Sequence, residues 1–234
     1  AGGVTTVMVL PGSANLIGGQ AAILKLREGG TVDAMKFEGA PPSMKMAFGE
    51  NPKRVYGERD AEPSTRMGNL AILRRVFAGA RDYRDAKARY EAGSARGDKD
   101  AEPPEKDLRK EALVGMLEGR FRLQVHCYTR SDILSLLSFA ESEGMKVTAI
   151  HHALDAYKVR RQIAAHGADI CTWADWWGFK MEAWDGIPQN AALCAEAGVK
   201  VSVHSDSSEQ VQRLWIEAAK MMAAGLPRAE AVKA

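Results

Sequence analysis

Side chains with acid–base or metal-binding chemistry recur just after apolar runs in the second half of the chain. His126 ends LQVHC, His151 and His152 end KVTAIHH, and Asp206 follows VKVSVHS. Imidazole is the commonest protein ligand of zinc-like metals and titrates near neutrality. A carboxylate at Asp206 can bind a metal, take a proton from water, or cap the helix that follows it. For any one histidine a satisfied core position is an equally good reading. The coincidence of His, His and Asp at the ends of three separate strands is what points to a shared site. Polar groups at the carboxyl ends of successive parallel strands are how a (β/α) barrel builds an active site.

His151 and His152 are neighbours in one strand, where side chains alternate between faces. Only one, His152, is expected to face the barrel centre, leaving His151 structural. Lys45 lies inside the apolar run MKMAF, which is costly unless it is paired, modified or pointed into a polar pocket. Glu50 follows in the loop GENPKRVYG. Either could add an oxygen ligand, Lys45 only once carboxylated, and an exposed loop acid is the plainer reading of Glu50. Tyr128, Arg130, Tyr157 and Lys158 sit just past the histidine strands and are candidates for substrate contacts, with surface or helix-start roles as the alternative. Trp173, Trp176, Trp177, Phe179 and Trp184 crowd one inter-strand loop, as a pocket wall or an oligomer contact would.

These residues must be placed by strand–helix units. Leu123–Cys127 leads to a helix near 131–143, Lys146–His151 to one near 155–165, Ala168–Trp173 to one between Pro188 and Gly198, and Val199–His204 to one opening near Ser207. Gly144, Gly167 and Gly198 punctuate them. Such regular crossovers imply parallel strands. Upstream, Val4–Leu10 reads as a buried strand, PGSANLIGGQ as a Gly-rich loop without phosphate-binding spacing, and Ala34–Phe37 and Met44–Phe48 as short strands. A long helix is expected over 66–91 behind a Ser64 or Thr65 cap, then a charged linker at 95–105 and a short helix over 108–117. Seven strands can be argued, whereas a closed barrel needs eight.

Composition sets outer bounds. The chain has 234 residues, with 32 Lys and Arg against 30 Asp and Glu and a net charge of +2. That suits one α/β domain over 1–234 and gives no footprint for a nucleic-acid partner. No run approaches the ~18–20 apolar residues of a membrane span. Cys127, Cys171 and Cys194 are odd in number and widely spaced, as reduced thiols of a cytoplasmic protein would be. The opening AGGVTTVMVL and the closing RAEAVKA lead us to expect an internal piece of a longer protein, a barrel incomplete at both ends.

The stretch from VHCYTRSD through TAIHHALDAYK and CTWADWWGF to VSVHSD resembles the metal-dependent amidohydrolase superfamily, in its imidazolonepropionase-like branch. VTTVMVLPGSANLIGGQ and MKMAFGENPKRVYG match the same branch. The resemblance implies a (β/α)8 TIM-type barrel holding zinc or another divalent metal such as Fe or Mn. It implies hydrolysis of a C–N bond in a small amide or cyclic amide by metal-activated water. By motif, His126 matches the metal histidine on the family's fifth barrel strand, His152 the histidine on the sixth and Asp206 the aspartate on the eighth. A deaminase or dipeptidase on the same scaffold, or a non-catalytic binding segment, is the alternative. The family's first-strand His-x-His pair has no counterpart among His126, His151, His152, His166 and His204.

Overall fold

Five short runs rich in Val, Ile and Met pair side by side because their apolar residues alternate with polar ones, giving each strand one face for a core and one for a site. The computed structural model describes residues 2–234. A hairpin of β1 (Thr6–Val9) and β2 (Ile17–Lys25) comes first, then α1 (Val32–Met35), β3 (Ser43–Ala47), α2 (Glu50–Gly57), α3 (Arg66–Ala95) and α4 (Leu108–Leu117). The strand–helix repeat follows: β4 (Arg122–Cys127), α5 (Arg130–Ser142), β5 (Val147–His152), α6 (Arg160–His166), β6 (Asp169–Thr172), α7 (Asn190–Glu196), β7 (Val201–Val203), α8 (Leu214–Ala223) and α9 (Arg228–Lys233). All seven strands form one sheet in chain order, parallel from β3 to β7 and antiparallel across β1, β2 and β3.

The register sorts the chemistry. Met46, Val125, Ile150, Ile170 and Val201 form one lateral row, and Ala47, His126, His151, Cys171 and Ser202 form the next. The first row packs into the apolar core with Leu73 and Phe77 of α3, Leu113 and Met116 of α4, and Ile133, Leu136 and Phe139 of α5. The second row lies on the opposite face, with Lys45 and Gln124 two residues earlier on their strands. Asn69, Leu73, Phe77, Ala80 and Tyr83 are buried positions of α3, at the spacing of one helix face. Phe77 meets Phe139 with ring centroids 5.8 Å apart.

Helices α3, α4 and α5 begin where polar caps satisfy their free amides. Thr65 Oγ1 accepts from the Gly68 amide, Asp107 from Arg109 and Lys110, and Thr129 from Asp132. Gly167 closes α6 at φ 76°, a left-handed conformation in which glycine has no side chain to clash.

The four downstream strands stand as expected, though the helix expected to open near Ser207 is a 3-10 turn from Gln210 and α-helical only from Leu214; the upstream region differs in four places. The last four residues of the Gly-rich stretch PGSANLIGGQ are strand β2, because Gly18 and Gly19 let it bulge against β3. Val4–Leu10 shortens to β1, half-exposed on the hairpin and not buried. Ala34–Phe37 is not a strand: Thr31 caps a helical turn there, and only Lys36 bridges to Leu24. GENPKRVYG is the helix α2, with the positive-φ Gly49 as its N-cap residue. Among the described residues there are seven strands, five of them parallel, so the sheet is a curled, incomplete barrel. Among the described residues no helix is long and apolar enough to cross a membrane.

Phe77 is fully buried where α3 crosses α5. Phe77→Ala is expected to cost about 3–5 kcal/mol through lost burial and a cavity, measured as a drop in urea midpoint at constant slope.

Candidate active site

The site begins where β5 stops being extended. His152 has φ 71° and Ala153 φ 46°, a left-handed pair that non-glycine residues seldom adopt. Three bonds hold it: Thr172 Oγ1 donates to the His152 carbonyl (2.7 Å), the Ala153 amide to the Cys127 carbonyl (2.9 Å), and Asn190 Nδ2 to the Ala153 carbonyl (3.0 Å). The twist carries the His152 imidazole over the strand end. It stacks on Tyr128 (4.8 Å, 9°), 4.4 Å from the His126 ring and 5.1 Å from that of His204.

Strict alternation therefore fails at this point. His151 shares the row of His126, binds Gln124 Oε1 through Nε2 at 2.8 Å, and lies 6.3 Å from the His204 ring. Both His151 and His152 belong to the cluster: the first by register, the second by its left-handed backbone. The expectation that only one could face the centre assumed extended geometry through both residues.

Burial decides the charge state. His126 is held down to about 2, His151 to about 3 and His204 to about 4, in each case first by burial and next by the Lys45 ammonium. His152 is pushed well below the ordinary imidazole value by burial and by its histidine neighbours. Lys45 is itself buried, which lowers its own pKa against the opposing pull of Asp206 and Cys171. The cluster is thus four neutral imidazoles around one ammonium-bearing side chain. Within it His152 Nδ1 and His204 Nε2 are buried without a hydrogen-bond partner.

Asp206 reaches this cluster from the end of β7. Its Oδ2 lies 4.0 Å from His152 Nδ1, its side chain is 58% exposed, and partial burial raises its pKa. It does not cap the following helix. The turn that follows is held by Ser207 Oγ, which accepts from the Glu209 and Gln210 amides. Tyr128 is buried between the His126 and His152 rings, and burial with the nearby Asp206, Glu182 and Glu50 charges holds its phenol protonated. Glu50 opens α2, half-buried and not an exposed loop acid, with Oε2 unpaired.

The remaining candidates stay out of the cluster. Arg130 is exposed, and its amide donates to Asp155. Lys158 pairs with Asp155 (2.8 Å) and Asp185 (2.6 Å), and the Tyr157 hydroxyl donates to the Asp185 carbonyl. Both tie down the loop between β6 and α7. In that loop Trp173, Trp176 and Phe179 pack against one another, and Trp173 lies 5.0 Å from His152 and 4.7 Å from His204. Trp177 and Trp184 point outward.

Sequence reading missed a second tier. Asn51 Nδ2 donates to His126 Nε2 (3.1 Å) and to Ser13 Oγ (2.8 Å), while Lys180 Nζ donates to Asn51 Oδ1 (3.3 Å) and lies 4.0 Å above the Tyr128 ring. The only local hint was Asn51's place beside Glu50. His204 could have been found from its position two residues before Asp206. A concavity of about 650 Å³ lies elsewhere, between β2, β3, α3 and α4, lined by apolar residues such as Ile17, Met44, Leu73 and Leu113. It shares no residue with the histidine cluster, and we place the chemistry at the cluster because the ionisable groups converge there.

Similarity to known proteins accords with this placement. The chain is 34% identical to "Amidohydrolase tasK" of Hapsidospora irregularis, over 97% of its own length and 25% of that protein's. It superposes on the crystal structure of an amidohydrolase from Thermotoga maritima MSB8 with a TM-score of 0.89 and 31% identity, covering all of this chain and 59% of that one. Both matches support an amidohydrolase family. No family model matches the chain. The chain thus spans a quarter of the curated relative and less than two thirds of the solved one.

Amidohydrolases are generally metal-dependent, which makes the donor set worth testing. Neutral imidazoles with free nitrogens are ligands of the right kind. Yet among the described residues no group of three or more His, Cys, Asp or Glu side chains is arranged to hold a metal ion. In addition, the Asn51 amide occupies the Nε2 lone pair of His126. Single donors fit a metal here, and a complete ligand set is not formed.

The histidines set a pH dependence. Their folded pKa values lie below the unfolded value near 6.5, so the unfolded chain binds more protons in between. Stability is expected to be full above pH ~6.5 and to fall as pH drops toward about 4, by about 1.4 kcal/mol per pH unit for each proton taken up. Urea melts between pH 8 and 5 read the slope. A flat profile would show that these imidazoles are charged or solvated in the fold.

Proposed function

We propose that the protein carrying this chain hydrolyses a carbon–nitrogen bond in a small amide or cyclic amide, with zinc or a related divalent metal. The observation that carries this reading is the juxtaposition of His126, His152 and Asp206 at the carboxyl ends of parallel strands, in a chain similar along its length to two amidohydrolases. The imidazolonepropionase-like branch remains our proposal within that family.

His152 and Asp206 would offer donors to the metal, and His126 would join them only where Asn51 releases its Nε2; the metal would supply Lewis acidity toward the substrate carbonyl and lower the pKa of water. The rest of the chemistry belongs to the chain. Asp206 accepts the proton of the attacking water and returns it to the leaving nitrogen, a task its raised pKa favours. Tyr128, kept protonated, is a donor for charge developing on the carbonyl oxygen. Trp173 and Trp176 wall the histidines from water, which strengthens these interactions. The near-balanced net charge suits a small-molecule substrate better than a nucleic acid.

A second reading is that 1–234 alone is a non-catalytic segment, and the absence of a three-donor cluster among the described residues favours it. Both readings predict weak zinc binding by 1–234, because a catalytic zinc site ordinarily uses three protein ligands. They part on a longer protein that includes this chain. There we expect stoichiometric zinc and turnover in a screen of cyclic amides, N-acyl amino acids, dipeptides and aminopurines. In that protein Asp206→Asn should lower kcat by about 10²–10⁴ with little change in KM. A zinc-loaded long form inactive on the whole screen, or one indifferent to Asp206→Asn, would count against the assignment.

A further inference from the structure

Two carboxylates lie almost completely buried above the strand ends without taking part in the chemistry proposed. The Asp132 and Glu182 side chains are 7% and 4% exposed and are bridged by Arg66 at the start of α3, with Lys180 a second partner of Glu182. Arg66 Nε donates to Asp132 Oδ2 (3.1 Å) and Nη2 to Glu182 Oε1 (2.7 Å). The same Glu182 oxygen accepts from the Glu50 amide (2.7 Å), and the Thr129 hydroxyl donates to Asp132. Gly49 is the point of closest approach. At φ 84° a Cβ there would sit 2.7 Å from Glu182 Oε1 and 3.2 Å from Asp132 Oδ2.

From this clamp an unbroken chain of contacts runs to the histidines. Glu182 Oε2 accepts from Lys180 (3.3 Å), Lys180 donates to Asn51 Oδ1 (3.3 Å), and Asn51 Nδ2 donates to His126 Nε2 (3.1 Å). Because Asn51 Oδ1 is taken by the lysine, its amino group must face His126. The imidazole must then carry its proton on Nδ1.

We infer that Arg66 is a positioning residue: by bridging Asp132 and Glu182 it holds the aromatic loop on the site and, through Lys180 and Asn51, fixes the tautomer of His126. Its consequence for hydrolysis rests on the function proposed above, while the geometry stands independently of it. Without the guanidinium, Asp132 loses its cation, Glu182 keeps only Lys180, and the two buried carboxylates face each other across Gly49 with nothing bridging them. Asp132 cannot leave, being fixed in the first turn of α5. Glu182 sits in a short 3-10 turn of the long loop between β6 and α7, so the loop is what moves. A lysine can neutralise one carboxylate but cannot fork to both.

The loop carries its own reporters. Of five tryptophans, Trp173, Trp176, Trp177 and Trp184 lie in it or at its base, leaving only Trp215 outside. In a Trp215→Phe background, Arg66→Ala is expected to raise acrylamide quenching and red-shift the emission. It should also alter the long-range ¹⁵N pattern of the His126 ring, which a purely stabilising ion pair would leave alone. Arg66→Lys should restore both in part, and Glu182→Gln should release the loop with Arg66 present. A folded Arg66→Ala chain with unchanged quenching and an unchanged His126 tautomer would overturn the proposal. Should Arg66→Ala fail to fold, Glu182→Gln decides, and wild-type quenching there overturns it equally. These readouts require neither substrate nor metal, so a failed hydrolysis assay and a failed clamp are separate results.

Discussion

Everything at this site depends on the two-residue period of a parallel sheet held in register. With Met46, Val125, Ile150 and Ile170 committed to the helix-facing core, the residues one step along are forced onto the other face. That step delivers His126, His151 and Cys171 as neighbours on adjacent strands about 5 Å apart. No individual contact draws the histidines together. The apolar row does so, because a slip of one residue in any strand would send its polar group into the core and an aliphatic one into the site.

The one group outside this rule is His152, and its placement has to be sustained by other means. Backbone in the left-handed region costs of order 1 kcal/mol or more for a branched or bulky residue. Here the turn is clamped from two strands and a helix: Cys127 on β4, Thr172 on β6 and Asn190 at the start of α7 each bind a backbone group of residues 152–153. The result is a fourth imidazole delivered to a face where extended geometry alone would place three, His126, His151 and His204. The strain sits at the carboxyl end of the sheet, where the ionisable groups converge, and not in the helix-facing core.

How far sequence reaches follows from the range of the interactions involved. The downstream units were legible because local signals agree: apolar alternation, a capping Thr or Ser, a glycine after each helix. The sharing of a site by His126, His152 and Asp206 followed from those units, since each ends its strand. The left-handed turn at His152 was not legible, because neither His nor Ala advertises it and the groups that hold it lie 20 and 37 residues away. Still less visible was the clamp, whose partners are separated by 66 to 132 residues. Upstream, glycines were read as loop although Gly18 and Gly19 lie within β2, where tertiary pairing outweighs local propensity.

The distribution of unsatisfied groups adds a consideration that distances alone do not. A buried donor or acceptor without a partner costs about 1–3 kcal/mol, and folded proteins leave few of them. Among the described residues, the buried side-chain atoms without partners are Ser43 Oγ, Glu50 Oε2, Asn69 Oδ1, His152 Nδ1 and His204 Nε2. Two are imidazole nitrogens of the cluster, and Glu50 and Asn69 flank the Gly49 turn beside it, since Asn69 donates to the Gly49 carbonyl. Only Ser43, at the opposite end of β3, lies apart. A core selected for stability alone would have paired or replaced such groups. Their concentration where four neutral imidazoles meet is expected of a surface shaped to bind something the chain itself does not supply.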